Sequence, residues 1–71
     1  SGSGSGSGST SGGLTTQEEQ IAVMAADGST NRDIARELTL SAKTVEHHLT
    51  SCYRKLGIRG RTELSGALQR R

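Results

Sequence analysis

Residues Ser41 to Gly57 read SAKTVEHHLTSCYRKLG. Two adjacent histidines, a cysteine, a glutamate and three basic residues fall within this short stretch. These side chains serve equally well in a metal site, in a catalytic site, or on a surface that meets a polyanion. The face each one occupies decides between these roles. Ser41 stands where a helix N-cap would sit, and Gly57 is the left-handed stop that ends a helix, so the spacing predicts a helix over 42–56. Val45, Leu49, Cys52 and Leu56 recur at i, i+4, i+7 and i+11. At 100° per residue they fall within about 60° of one another, which makes that stripe a core face. Lys43, His47, Thr50 and Arg54 cluster diametrically opposite. Glu46 and Tyr53 lie on one flank, and His48 and Lys55 on the other.

This geometry bears on the three roles. The two histidines diverge by about 100° around the helix axis. His48 and Cys52, one turn apart, would supply at most two ligands, whereas zinc needs three or four that converge. The chain has a single cysteine, so no CxxC spacing and no intrachain disulfide exists. No metal or cofactor is expected. A nucleophilic thiol needs a base within hydrogen-bond reach and an oxyanion site in a concave pocket. Cys52, on the apolar stripe, reads instead as a small core residue. His48 reads as a half-buried edge residue, and no enzymatic activity is expected.

Working outward, STNRDIARELTL precedes this helix. Thr30 followed by Asp33 marks a helix start, and Ile34, Ala35 and Leu38 form its apolar stripe. Only Thr39, Leu40 and Ser41 separate this short helix from the next, which forces a sharp corner with Leu40 inside it. A short helix, a tight turn and a longer basic helix is the helix-turn-helix arrangement, although a plain three-helix bundle with a structural turn has the same outline. Further upstream, LTTQEEQIAVMAADG offers two capping registers, Thr15 with Glu18 and Thr16 with Glu19. Ile21, Met24 and Ala25 give its stripe and Gly28 its stop. A fourth segment, RTELSGALQRR, places Leu64 and Leu68 one turn apart, with Gly66 between them costing about 1 kcal/mol of helix propensity. Alternating strand patterns are absent, so the expected class is all-α with four helices.

Composition sets the limits. Residues 1–13, SGSGSGSGSTSGG, contain none of the hydrophobic residues of the chain, and read as a flexible Ser/Gly tail, an engineered linker or cloning remnant. The folded unit is then 14–71. It has no Phe, Trp or Pro, which leaves a shallow aliphatic core suited to a binding module. No apolar run approaches the roughly 18 residues of a membrane span, and one unpaired thiol is ordinary in a reducing cytoplasm. The net charge of +2 conceals an asymmetry. Residues 14–40 hold two basic and five acidic side chains, while residues 41–71 hold seven basic and two acidic. A second half this positive invites a polyanion.

The outer row of the third helix suits the DNA major groove. Lys43, Arg54 and Lys55 carry the charge to neutralise phosphates, and Thr44, near the helix N-terminus, has a hydroxyl for one. Glu46, His47 and Thr50 have the length to reach base edges. Glu accepts from cytosine N4, and Thr touches a thymine methyl. A purely local role for Glu46, as an ion pair with Lys43, stands as the alternative.

With these residues in place the chain resembles the LuxR-type (GerE-type) helix-turn-helix domain of bacterial transcription regulators. The matching pieces are LTTQEEQIAVMAADGSTNRDIARELTLS and KTVEHHLTSCYRKLGIRGRTEL. The resemblance implies a four-helix domain whose third helix enters the major groove of double-stranded DNA, and a dimer on a pseudo-palindromic site. It places base reading on Glu46, His47 and Thr50, and phosphate contacts on Asn31, Ser41, Lys43, Thr44, Arg54 and Lys55. It also implies a C-terminal position in longer chains. Several relatives carry basic or apolar residues where Glu46 and His47 stand, and Gly60 replaces a frequent serine. Leu64, Ala67 and Leu68 form a small patch on the last helix, enough for a weak homodimer. The rival reading is a helical protein-interaction module that docks RNA polymerase or a regulatory domain. A sigma-factor-like region shares the helix pair but not the KLGIRGRTEL ending.

Overall fold

The computed structural model describes residues 13–70. Of the expected tail, only Gly13 is among them. The described residues form four α-helices and one 3₁₀ turn and contain no strand: α1 Thr16–Asp27, α2 Asn31–Glu37, α3 Ala42–Leu56, a 3₁₀ turn Arg61–Glu63, and α4 Leu64–Arg70.

Cap chemistry fixes where each helix begins. Of the two registers available to α1, the fold uses Thr15 with Glu18. The Thr15 hydroxyl accepts from the Glu18 N–H at 3.1 Å, and the Thr15 N–H donates to Glu18 Oε1 at 3.0 Å, closing both halves of the capping box. Thr30 caps α2 by accepting from the Asp33 N–H at 3.1 Å. Ser41 occupies the N-cap of α3 in extended backbone, but its hydroxyl makes no capping bond.

The three longer connections begin in the same way. Past α1, the Gly28 N–H bonds the Ala25 carbonyl and the Ser29 N–H that of Met24. Past α3, Gly57 and Ile58 repeat the pattern onto Arg54 and Tyr53. Past α2, Thr39 bonds Arg36 and Leu40 bonds Ala35. This paired arrangement needs a left-handed residue at its centre. Gly28 (φ 111°) and Gly57 (φ 71°) supply it, but the corner between α2 and α3 uses Thr39 at φ 57°, a position that β-branched residues adopt only under strain. The corner of the helix-turn-helix is therefore the strained one. α2 is only seven residues long, shorter than its apolar stripe predicts, because Leu38 already belongs to this turn.

The core draws on all four helices: Ile21, Ala22 and Ala25 of α1, Ile34 and Ala35 of α2, Val45, Leu49 and Cys52 of α3, and Leu64 of α4. Leu38 and Leu40 pack against it from the corner, and Leu56 and Ile58 from the end of α3. Two expectations shift. Met24 is half-buried and Ala22 takes the central place, since α1 turns its Ile21–Ala22–Ala25 face inward. Leu56 closes the α3 stripe only partly. The corner between α2 and α3 and the packing of α1 across α3 together hold the outer face of α3 away from the core.

Candidate nucleic-acid interface

The inner stripe of α3 is closed as far as Cys52: Val45 and Cys52 have no exposed surface, and Leu49 almost none. The opposite row is open. Lys43, Glu46, His47, Thr50 and Arg54 are all exposed, and Thr44 is half-buried at their edge. Lys43, Thr44, Glu46, His47 and Thr50 line one shallow concavity. The fold thus brings together the three residues expected to read bases and two of those expected to meet phosphates. Asn31, at the first position of α2, is half-buried, and Ser41 is exposed ahead of α3. Arg54 continues the row in the last turn of α3.

The side chains of this face are partly pre-set. Thr50 Oγ1 donates to the Glu46 carbonyl at 3.2 Å. This back-bond within the helix occupies the hydroxyl proton. Glu46 makes no ion pair with Lys43 among the described residues, where the salt bridge present is Lys55 to Glu18. His47 and His48 stand edge to face, their ring centres 6.4 Å apart, with His47 exposed and His48 half-buried. Among the described residues no three His, Cys, Asp or Glu side chains converge on a point that would hold a metal ion.

Lys55 differs from the other cations of α3. Its Nζ donates to Glu18 Oε1 at 2.8 Å, the same oxygen that accepts from the Thr15 N–H. The Lys55 hydrogen bond, then the Thr15 N–H, hold the Glu18 carboxyl below its usual range against the opposing cost of burial. Beside it, the Cys52 thiol donates to the Glu18 backbone carbonyl at 3.6 Å. Burial, reinforced by the Glu18 charge, pushes that thiol up to about 11, so at neutral pH it is a protonated packing group. Burial also raises the Tyr53 hydroxyl.

The placement of Leu64 overturns one expectation. It has no exposed surface and sits in the core, so it cannot face a second copy of the chain. What remains of the expected patch is Ala67 and Leu68, both half-buried, with Ala67 lining a groove between the end of α3 and α4. Two cations escaped the sequence reading. Arg32 and Arg36, one turn apart on α2, are exposed and border a recess with Leu40 and Ala42 at the corner. Counting charge over residues 14–40 as a block hid them beneath five acidic residues; sorting charge by helix face would have found them. Arg61 donates to the Ser29 carbonyl at 3.3 Å and so ties the 3₁₀ turn to the α1–α2 connection.

Known proteins resemble this chain in sequence and in fold. The family described as bacterial regulatory proteins, luxR family, matches residues 13–66. The spore germination protein GerE of Bacillus subtilis is 36% identical over 50 residues, covering 70% of this chain and 68% of GerE. The protein "Putative HTH-type transcriptional regulator Mb0914c" of Mycobacterium bovis is 40% identical over 60 residues, 84% of this chain but 7% of its own length. The chain thus spans a small fraction of the mycobacterial relative. The solved structure of the transcription factor GerE superposes with a TM-score of 0.73 at 33% identity, covering 80% of this chain and 85% of that one. The four-helix chain, with its α2–α3 corner, belongs to the luxR family of bacterial regulatory proteins.

Proposed function

We propose that the domain binds double-stranded DNA sequence-specifically, with α3 as the recognition helix in the major groove and no chemistry of its own. One observation carries this reading: the exposed row Lys43, Glu46, His47 and Thr50 forms a single concave face on a helix whose opposite side is locked into the core. In this reading Glu46, His47 and Thr50 meet base edges. Thr50 presents its methyl group, since its hydroxyl proton is already bonded within the helix. Lys43 and Arg54 neutralise phosphates. Thr44 and the hydroxyl of Ser41, which makes no capping bond, hydrogen-bond them at the N-terminus of α3, and Asn31 does so from the start of α2. Lys55, expected in the same set, has its ammonium paired with Glu18 at 2.8 Å.

In the full-length protein the domain acts in the cytoplasm on a pseudo-palindromic site, two copies pairing weakly through Ala67 and Leu68. So small an apolar patch supports association on DNA rather than a stable free dimer. A role in docking RNA polymerase or a regulatory domain is the second reading, and the exposed Val23 beside Met24 and Leu38 is the surface that favours it.

Amide and side-chain chemical shifts followed during titration with duplex DNA test the proposal. Lys43, His47, Thr50 and Arg54 should move first and furthest. Were they to stay fixed while signals around Val23 or Ala67 moved, the recognition helix would be wrongly assigned.

A further inference from the structure

Glu18 lies outside the DNA-facing row, yet it makes two attachments to the last turns of α3. Its backbone carbonyl accepts from Cys52 at 3.6 Å and its carboxylate from Lys55 at 2.8 Å. The Glu18 side chain is 11% exposed and that of Lys55 41%. The carboxylate is therefore a fixed acceptor, held by the capping box of α1, while the ammonium remains open to solvent on one side. Lys55 lies on the flank of α3 that also carries Thr44 and His48, between the outer row and the core stripe. A lysine in this place is a phosphate ligand by reach and by charge. In the free domain its partner is already a carboxylate that mimics one.

We propose that Glu18 is a positioning residue for DNA binding, an internal competitor that withholds Lys55 from the phosphate backbone and so keeps the affinity of the domain below what its cations allow. The inference rests on the DNA-binding reading above. The Glu18–Lys55 pair is electrically neutral, so a duplex passing this flank meets one positive charge fewer than the sequence supplies. It releases one counterion fewer per bound domain. Two features make the competition effective. The carboxylate is held in place by the Thr15 N–H, so only the lysine side chain has to be ordered when the two pair. It also belongs to the same chain, so the lysine is already paired before any duplex arrives.

The test is the slope of log K against log salt for mixed-sequence duplex DNA, measured for each bound domain by fluorescence anisotropy. Glu18→Gln keeps an acceptor for the Thr15 N–H but removes the charge that holds Lys55. The slope should steepen by about 0.9 per domain, equivalent to about 3.5-fold more affinity lost between 50 and 200 mM salt. Adding Lys55→Met to that variant should restore the original slope. Loss of folded protein lowers every affinity by a common factor and leaves the slope untouched, so a merely structural Glu18 would not produce this pattern. An unchanged slope in E18Q would overturn the inference while leaving DNA binding intact. A steepening that persists in the E18Q/K55M double variant would also overturn it, since the new contact would not be Lys55. Failure of the unaltered domain to bind duplex DNA at all would remove both this inference and the reading beneath it.

Discussion

Replacing Leu64 with alanine probes how α4 is held. Leu64 is the first residue of that helix and the only one of its residues buried in the core. It has no exposed surface, so its truncation removes the full transfer free energy of the lost methyl groups and leaves a cavity. Such substitutions cost about 3–5 kcal/mol. A folded unit of this size has about 3–9 kcal/mol in total. Leu64→Ala should therefore remove a third or more of the stability, and at the low end of the range nearly all of it. Urea unfolding followed by far-ultraviolet circular dichroism gives the number, with Leu68→Ala as control. Leu68 is half-buried on the same helix and should cost about 1 kcal/mol, as partial burial of an aliphatic side chain implies. The ordering of the two is the sharp part. If Leu68→Ala were as damaging as Leu64→Ala, or if Leu64→Ala cost under about 1 kcal/mol, the buried anchor of α4 would lie elsewhere.

Four further outcomes follow from the geometry. Thr39→Gly relieves the left-handed strain at the α2–α3 corner, worth about 1–2 kcal/mol, against about 0.4–1 kcal/mol of added chain entropy; a net rise in melting temperature is expected, and a fall would mean that the threonine is not strained there. Gly66→Ala should stabilise α4 by about 1 kcal/mol, because a methyl group at that position meets nothing within 4 Å; sedimentation of the same variant with and without DNA would show whether a second copy approaches there. The lowered Glu18 carboxyl gives stability that is present above its ordinary value of 4.5 and is lost as pH falls through the depressed folded value. Acid titration of the unaltered domain against Glu18→Gln should show this component missing from the variant, and superimposable curves would contradict it. Thr50→Val should keep a preference for thymine that Thr50→Ala loses by about 1 kcal/mol, read by competition between duplexes differing at one base pair; equal losses would assign the contact to the hydroxyl.

The starts of α1, α2 and α3 and the stops of α1 and α3 were legible because they rest on contacts within a few residues. Thr15 with Glu18, Thr30 with Asp33, Gly28 and Gly57 all declare themselves locally. The exposed row of α3 was legible for the same reason, since helical periodicity alone separates Lys43, His47 and Thr50 from Val45, Leu49 and Cys52. What local pattern could not give was anything joining distant positions. Lys55 reads as a free cation until α1 is laid across α3 and Glu18 is found beside it, 37 residues away in sequence. Leu64 and Leu68 look equivalent on a wheel, and only the packing of α4 against α1 shows that one is interior and the other half-exposed. Thr39 gave no warning either. A threonine at a helix stop looks unremarkable until the bonds from Thr39 and Leu40 show that it occupies a glycine's position.

The burial of Cys52 has a practical consequence. It is the sole thiol of the chain, it is fully enclosed, and it is held protonated with a value near 11. A maleimide or disulfide reagent at neutral pH can reach it only when the domain opens. The rate of modification under native conditions therefore clocks those openings, without dye, tag or mutation, and the same clock run with duplex DNA present would measure how much the bound state slows them.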